Sequence, residues 1–242
     1  MRLITPTLTF IFISLLSFQS MANQQDPWED WNRDVFAFNE TLDYYTLKPV
    51  AQAYRNVTPQ VVDDAISNVF SNLGEPVVIV SDLAQGKFLD ALADTGRFLI
   101  NSTIGVLGVF DVARHMGLEK HNEDLGQALA FWGVASGPYL MLPILGPSTV
   151  RDAAGFSVEN LALSDINVGS QVFTSDELFY AMVYGKYLDI RGDLIPTEGL
   201  ISGDRYAFIR SFYLQRRDYL VNDGEVADEF SDEFEDEFED DF

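Results

Sequence analysis

The chain has 242 residues, a formal net charge of −23 and no cysteine. A chain this acidic is poorly suited to bind nucleic acid or an anionic membrane face through charge, because both need clustered Lys and Arg residues. The missing cysteine excludes disulfides, thiolate metal sites and a Cys nucleophile, and it leaves no residue for a lipid-modified N-terminal cysteine.

Residues 1–22 have the pattern of a secretory signal. Arg2 gives a weakly positive start, residues 3–18 are apolar, and Ser20 and Ala22 place small residues three and one before a cut. We therefore predict export and cleavage after Ala22, with an uncleaved N-terminal anchor as the alternative. Residues 23–224 form the predicted domain.

Two helices are predicted at the start of this domain. Asp26-Pro27 has the cap-plus-proline signal of a helix start, and Lys48-Pro49 predicts its end. This first helix carries Trp28, Trp31, Phe36, Phe38, Tyr44 and Tyr45. Either core packing or a membrane interface accounts for so many aromatic residues. Thr58-Pro59 repeats the start signal, and Gly74 predicts the end of the second helix.

The sequence predicts different structures for the segments 76–85 and 88–99. The first is a short apolar segment that stops at Gly86, and its residues 77–80 are compatible with a short buried strand. The second has Phe88, Leu92, Thr95 and Leu99 at helical spacing, so it predicts a helix. An apolar, glycine-broken stretch follows at 104–112.

Residues 125–150 contain no charge at all. This run is long enough to cross a bilayer, but Pro138, Pro143 and Pro147 each remove a backbone donor. Irregular backbone at membrane depth is tolerated only where it is buried in protein or lines a cavity. The run is therefore predicted to pack inside the protein or to line a path.

Three more helices are predicted near the C-terminus. Ser148 caps a helix that runs through Glu159, Ser175 caps one over 176–188, and the last covers about 204–221. The last helix places Tyr206, Ile209, Tyr213, Arg217 and Leu220 on one side. Helical signals dominate throughout, so the predicted fold class is all-α.

The segment 225–242 is acidic and of low complexity, with phenylalanine at 230, 234, 238 and 242. A disordered tail is one interpretation, because the carboxylates repel one another. The other is a segment that folds on a basic partner and uses its Phe side chains as anchors.

Catalytic patterns are scarce. His115 and His121 with Glu119 and Glu123 offer a possible metal cluster, against a plain surface role for these residues. No nucleophile elbow, phosphate-binding loop or dinucleotide fingerprint occurs. We therefore predict no enzyme activity, no cofactor and no metal.

Four blocks of the sequence resemble the MlaA/VacJ family. They cover 26–60, which opens with DPWEDWNRDVFAFNE, then 71–113, 123–155 and the closing helix at 211–224. The resemblance implies a ring of helices around a central channel, seated on the periplasmic side of the cell outer membrane. It implies removal of mislocalised phospholipids from the outer leaflet, which maintains lipid asymmetry. The implied partners are phospholipids, a trimeric porin, and a periplasmic carrier that feeds an inner-membrane ABC transporter.

The resemblance also suggests which residues contact lipid or the channel. The candidates are Phe36, Phe38, Asn39, Gly137, Pro138, Tyr139, Leu140, Met141, Pro143, Gly146 and Pro147. Arg151 and Asp152 are expected to fix the exit of the channel segment by pairing or capping.

The missing cysteine departs from the family pattern, which usually includes a lipidated cysteine. Membrane seating then has to come from buried apolar surface or from a porin. The alternative function is a periplasmic lipid-binding or scaffold protein without stable seating. A metal-dependent lipid hydrolase that uses the two histidines is a third reading.

Overall fold

The computed structural model describes residues 26–166, 176–201 and 203–225. The predicted signal, the Ser175 cap and the acidic tail beyond Glu225 lie outside these ranges. The described chain is mainly helical, which confirms the predicted class. Its helices are α1 (Glu29–Leu42), α2 (Lys48–Val57), α3 (Gln60–Gln85), α4 (Phe88–Thr103), α5 (Val112–His115), α6 (Leu125–Phe131), α7 (Val150–Ile166), α8 (Asp176–Leu194) and α9 (Arg205–Val221).

The first predicted helix does not end at Lys48-Pro49. A π-helical turn, Asp43–Leu47, follows α1 directly and leads into α2, with Pro49 in the first turn of α2. A wider turn accommodates a residue that cannot donate a backbone hydrogen bond. Asp26 is not the helix cap either, since Trp28 occupies that position. Its carboxylate instead accepts a hydrogen bond from Asn32 at 2.8 Å.

Helix α3 runs through its predicted end at Gly74 and through the segment 76–85 that follows. Gly74 and Pro76 lie inside the helix, and 77–80 is helical rather than a strand. An internal proline costs roughly 3 kcal/mol, but α3 packs along α4 and this packing outweighs the local preference. The helix ends at Gly86, which is left-handed at φ 79° as its position predicts.

Helix α4 is present as predicted, but its apolar stripe faces outward. Phe88 is 69% exposed and Leu92 is 69% exposed. The opposite side, which carries Asp94, Arg97 and Asn101, is buried. The periodicity therefore identifies the helix correctly, while the burial is the reverse of that in a water-soluble protein.

Arg97 lies at the centre of the buried polar side. Its guanidinium donates to the Leu118 carbonyl at 2.5 Å and to the Asp111 carboxylate at 3.1 Å, and it lies 3.5 Å from Glu75 of α3. Asn101 donates to Asp111 at 2.9 Å. These contacts tie α3, α4 and the 111–118 segment together through charge rather than through apolar packing.

The uncharged run forms a short helix and a hairpin. After α6, strand β1 (Tyr139–Leu142) pairs antiparallel with β2 (Gly146–Thr149). Neither strand was predicted from the sequence. Two asparagines of α1, seven residues apart, hold the hairpin. Asn32 donates to the Tyr139 carbonyl at 3.1 Å and accepts from the Met141 amide at 2.8 Å. Asn39 likewise donates to the Leu142 carbonyl at 3.0 Å and accepts from the Ile144 amide at 2.8 Å.

The C-terminal elements largely follow their predicted starts. Asp204 caps α9, with its side chain accepting from the Ala207 amide at 3.3 Å. Tyr206 and Arg217 are buried on the predicted side of α9. The cap of α7 is Thr149 rather than Ser148, because the Thr149 hydroxyl accepts from the Asp152 amide at 3.2 Å. Helices α7 and α8 are both longer than predicted.

The contacts between successive elements form a closed circuit that begins and ends at α1. Helix α1 contacts β1, β2 contacts α9, α9 contacts α6, and α6 contacts α3. Helix α3 then contacts α8, α8 contacts α2, and α2 joins the π-helical turn that leads back to α1. None of the helices in the described ranges is long and apolar enough to cross a membrane.

Gly155 provides a test of the α6–α7 contact. A Cβ atom at Gly155 would lie 2.6 Å from the Gly126 backbone nitrogen, so the backbones cannot keep their approach. We expect Gly155→Ala to destabilise the fold by about 1–3 kcal/mol, measured as a lower Tm in detergent. Gly96→Ala is the control, because the nearest contact there is an ordinary 3.6 Å. A Tm for Gly155→Ala equal to that of the control would contradict the close approach.

Asp82 gives a pH-dependent test of the polar interior. It is fully buried, and neither carboxylate oxygen has a hydrogen-bond partner among the described residues. Burial and the nearby Asp94 raise the pKa of Asp82 to about 7. The folded chain thus binds this proton more tightly than the unfolded chain, so Asp82 costs stability progressively as the pH rises from about 4 to about 7.

We therefore expect Asp82→Asn to raise Tm by at least about 4 °C more at pH 8 than at pH 4, where the parent carboxyl group costs little. Asp30→Asn, at an exposed position, is the control and should give the same small change at both pH values. Parallel pH profiles for the parent and Asp82→Asn would contradict the assignment.

Candidate functional site

Exposed apolar side chains cluster in the segment 83–110, and we call their surface the apolar face. The four charged residues of this segment, Lys87, Asp90, Asp94 and Arg97, are all half-buried or buried. Its exposed large side chains are Leu83, Phe88, Leu89, Leu92, Leu99, Ile104, Val106, Leu107 and Phe110. Exposed apolar patches of this extent mark contact with a membrane or a protein.

Two strained residues hold part of the apolar face outward. Val106 and Leu107 have φ values of 55° and 57°, in the left-handed region that residues other than glycine rarely adopt. Gly108 follows at φ 90°, and a Cβ atom there would lie 2.6 Å from the Asn72 side chain. These φ values are locally strained. They form a tight turn in which the Val106 and Leu107 side chains lie exposed on the protein surface.

More exposed aromatic side chains lie on α1 and the turn after it. Trp31, Phe38, Tyr44 and Tyr45 are all exposed, and Tyr45 is 73% exposed. Core packing is therefore the wrong interpretation for these four residues. Ile144 and Leu145 are also exposed at the hairpin tip. The amphipathic rings of Trp and Tyr favour the headgroup level of a membrane.

A cavity of about 270 Å³ opens between α3, the 120–124 loop, α8 and α9. We call it the cationic pocket, because four of the chain's 15 Lys and Arg residues line it against two carboxylates. The charged lining residues are Lys120, Lys186, Arg216, Arg217, Glu123 and Asp124. The other lining residues are Phe70, Ser71, Gly74, Val78, Asn122 and Leu220.

Three of the four cations lack an ion pair within the described residues. Lys120 donates to the Ser71 hydroxyl at 2.6 Å, and the Lys186 ammonium lies 5.2 Å from the centre of the Phe70 ring. Burial lowers the pKa of Lys186, and the positive charge of Lys120 lowers it further. Arg216 is exposed at the rim. Such unpaired cations side by side favour an anionic ligand, which relieves their repulsion.

The fourth cation, Arg217, is structural. Its guanidinium donates to Asp124 at 2.5 Å and to Asp152 at 2.8 Å. Tyr213 donates to the second oxygen of Asp152 at 2.8 Å. Asp124 also caps α6, so the pair fixes one wall of the pocket to two other helices. Burial acts to raise the pKa of Asp124, but Arg217 prevails and the pKa is lowered.

Arg151 and Asp152 sit at the start of α7, next to this network. Arg151 lies 3.2 Å from Asp152, and both residues are buried. Arg151 also donates to the Val134 carbonyl at 3.4 Å. Both side chains are directed toward protein partners at the end of the uncharged run.

The other predicted site residues cluster on α1 and the hairpin. Phe36 packs edge-on against Tyr206 with ring centres 5.8 Å apart, Phe38 is exposed, and Asn39 holds the hairpin.

On the hairpin, the predicted site residues differ in burial. Tyr139 and Met141 lie in the small buried core, and Leu140 is half-buried. Gly137 and Gly146 have φ values of 69° and 89°. Pro138 is buried, Pro143 is exposed and Pro147 is half-buried. None of these residues lines the cationic pocket.

The suggested metal cluster is not formed by the described residues. His121 lies 2.8 Å from Asp94, with its ring directed at the buried carboxylate. Burial acts to lower the pKa of His121, but Asp94 prevails and the pKa is raised. Glu123 is paired with Lys87 at 3.0 Å and accepts from Gln85.

The pocket cations were missed in the sequence because they lie far apart along the chain. One signal was available in the Arg216-Arg217 pair, an unusual concentration of positive charge in so acidic a protein. The two hairpin-holding asparagines carry a weaker signal, since Asn32 and Asn39 are two helical turns apart on one face. Only Asn39 was singled out.

Comparisons with known proteins agree on one family. A family model for the MlaA lipoprotein matches residues 24–220. The Escherichia coli (strain K12) intermembrane phospholipid transport system lipoprotein MlaA is 34% identical over 215 residues, 84% of this chain and 81% of that one. An uncharacterized protein of Rickettsia prowazekii (strain Madrid E) is 39% identical over 197 residues, 80% of this chain and 76% of that one.

A solved structure is also similar. It comes from work on the structural basis for maintenance of bacterial outer membrane lipid asymmetry. It aligns with a TM-score of 0.71 and 32% identity, over 82% of this chain and 100% of that one. On the extent of the family match and these identities, this chain belongs to the MlaA family.

Proposed function

We propose that this protein removes mislocalised phospholipids from the outer leaflet of the outer membrane and passes them toward the periplasm. The observation that carries the proposal is the reversed polarity of the α3–α4 pair, with Arg97 and Asp94 inside and Leu92 and Leu99 outside. A protein of this kind places its apolar face in lipid and encloses a polar interior. Relatives named for intermembrane phospholipid transport support it.

A phospholipid needs two environments along its route. Its charged headgroup requires a wettable, polar path, while its acyl chains stay near apolar surface. The closed circuit of element contacts supports a ring that encloses such a path. The cationic pocket supplies the anion-binding step, because Lys186 and Arg216 are free to pair with a phosphate.

We further propose that the candidate residues of α1 and the hairpin border the route. Asn39 holds the hairpin tip beside the exposed Phe38, so side chains from both elements share one surface. The irregular backbone at Gly137-Pro138 leads directly into this hairpin. The side-chain amides of Asn32 and Asn39 bind the hairpin backbone to α1. They satisfy backbone N–H and C=O groups of the hairpin that would otherwise need water.

Seating and handover complete the proposal. The apolar face and the α1 aromatics hold the protein on the periplasmic side of the outer membrane, since no cysteine offers an acyl anchor. A trimeric porin stabilises this position. A periplasmic carrier then takes the lipid and feeds an inner-membrane ABC transporter. No covalent step is needed, so the protein acts as a transporter component rather than an enzyme.

Charge on the apolar face tests the seating. Each aspartate buried in lipid costs roughly 3 kcal/mol, so Leu92→Asp with Leu99→Asp is expected to lower membrane partitioning by more than about a thousandfold. We expect this variant to appear in the osmotic-shock fluid, while the parent needs detergent for release. Asn56→Asp, at an exposed polar site, is the control and should stay with the membrane.

A variant that still needs detergent would contradict lipid contact at this face. A parent protein that is itself released by osmotic shock would instead favour the alternative function, a periplasmic lipid-binding or scaffold protein.

Neutralising the pocket tests the transport step. A charge-assisted hydrogen bond is worth about 1.5–3 kcal/mol, so Lys186→Gln with Arg216→Gln is expected to weaken binding of soluble dihexanoyl phosphatidylglycerol by at least about tenfold. In a strain lacking the protein, surface phospholipid should rise, and this variant should restore asymmetry less well than the parent.

Arg114→Gln is the matched control, because Arg114 is exposed and lies outside the pocket lining. Normal surface phospholipid in the deletion strain would overturn the proposed function. Full binding and full restoration by the pocket variant would overturn only the assignment of the headgroup site.

A further inference from the structure

We propose that the acidic segment 226–242 occupies the cationic pocket of its own chain and competes there with phospholipid headgroups. The inference rests on the proposed function of the pocket and adds a regulatory contact to it. The family match ends at residue 220, so the proposed competitor lies beyond the part of the chain that the match covers.

The described chain ends at the rim of the pocket. The last turns of α9 contribute Arg216, Arg217 and Leu220 to its lining. Just beyond the helix, Asp223 pairs with Lys87, and Lys87 also lies 3.0 Å from the lining residue Glu123. The segment that follows Glu225 therefore starts beside the pocket.

The charges of the two parts are complementary. Residues 226–242 contain ten Asp and Glu residues and no Lys or Arg. The pocket offers three cations without an ion pair among the described residues, Lys120, Lys186 and Arg216. Its two carboxylates are already neutralised, Asp124 by Arg217 and Glu123 by Lys87. The pocket thus presents net positive charge to an incoming acidic chain.

The pocket also has a place for an aromatic anchor. Phe70, Val78 and Leu220 form the apolar part of its lining. The segment repeats phenylalanine every four residues, at 230, 234, 238 and 242, with carboxylates between them. An anionic group flanked by an apolar body is also the chemistry of a phospholipid headgroup with its attached chains, so both ligands suit one site.

Tethering makes even a weak contact effective. For a tether of 17 residues, random-coil statistics give an end-to-end distance of roughly 20–25 Å and a local concentration on the order of 1 mM. If the segment binds with a Kd of about 0.1 mM, it fills about nine-tenths of the pockets. The apparent affinity for lipid then falls roughly tenfold.

The test compares full-length chains that differ only in the segment. The neutral variant changes its ten Asp and Glu residues to Asn and Gln and keeps the four phenylalanines. Titration with dihexanoyl phosphatidylglycerol at low salt should show about tenfold tighter binding by the neutral variant. At 1 M salt, where the Debye length is about 3 Å, the difference should disappear.

A second measurement locates the segment without lipid. The photoreactive substitution Phe234→p-benzoylphenylalanine should cross-link to peptides that contain residues 70–78, 120–124 or 216–220. Lys186→Glu should abolish these cross-links, whereas Arg114→Glu, outside the pocket lining, should leave them in place.

The outcomes separate the two proposals. Equal lipid affinity for both chains, with cross-links elsewhere, overturns the inference and leaves the proposed function intact. Pocket cross-links without lipid binding by either chain overturn the headgroup role of the pocket and leave the contact with the segment. Tighter binding by the neutral variant together with pocket cross-links supports both.

Discussion

The buried guanidinium of Arg97 holds the α3–α4 pair in its unusual orientation. An isolated buried charge is costly, and Arg97 is compensated by a carbonyl and the carboxylates of Glu75 and Asp111. These partners come from α3 and from the segment after α4, so both must turn their polar sides inward to supply them. The apolar side chains of α4 are then left facing outward. Removing one of these partners would leave the buried Arg97 charge partly uncompensated, because apolar side chains cannot stabilise a charge.

Local signals predicted the helix ends well and the burial poorly. Gly86 and Asp204 end and begin helices as expected, because capping depends on a few neighbouring residues. The predicted helix end at Gly74 was wrong, because packing of α3 against α4 decides that region. The stripe on α4 predicted a helix correctly. Periodicity reports that two sides differ, but it does not report whether the apolar side meets protein or lipid.

The candidate site was harder to foresee than the family. The quoted sequence blocks led to MlaA, since ordered motifs along most of a chain are specific. The pocket depends instead on Lys120, Lys186 and Arg216, which separate segments bring together. The hairpin was missed for a related reason. Its strands are only four residues long, and the amides of Asn32 and Asn39 replace the neighbouring strand that normally stabilises such a pair.

Asp26 joins the beginning of the described chain to its last helix, because its carboxylate accepts from Tyr206 and pairs with Arg210 at 3.2 Å. These contacts span sequence separations of 180 and 184 residues. Non-local contacts of this kind form late in folding. The circuit therefore cannot close until α9 has been synthesised. Until then the apolar face has no finished scaffold behind it, and its exposed side chains are open to association with other apolar surfaces.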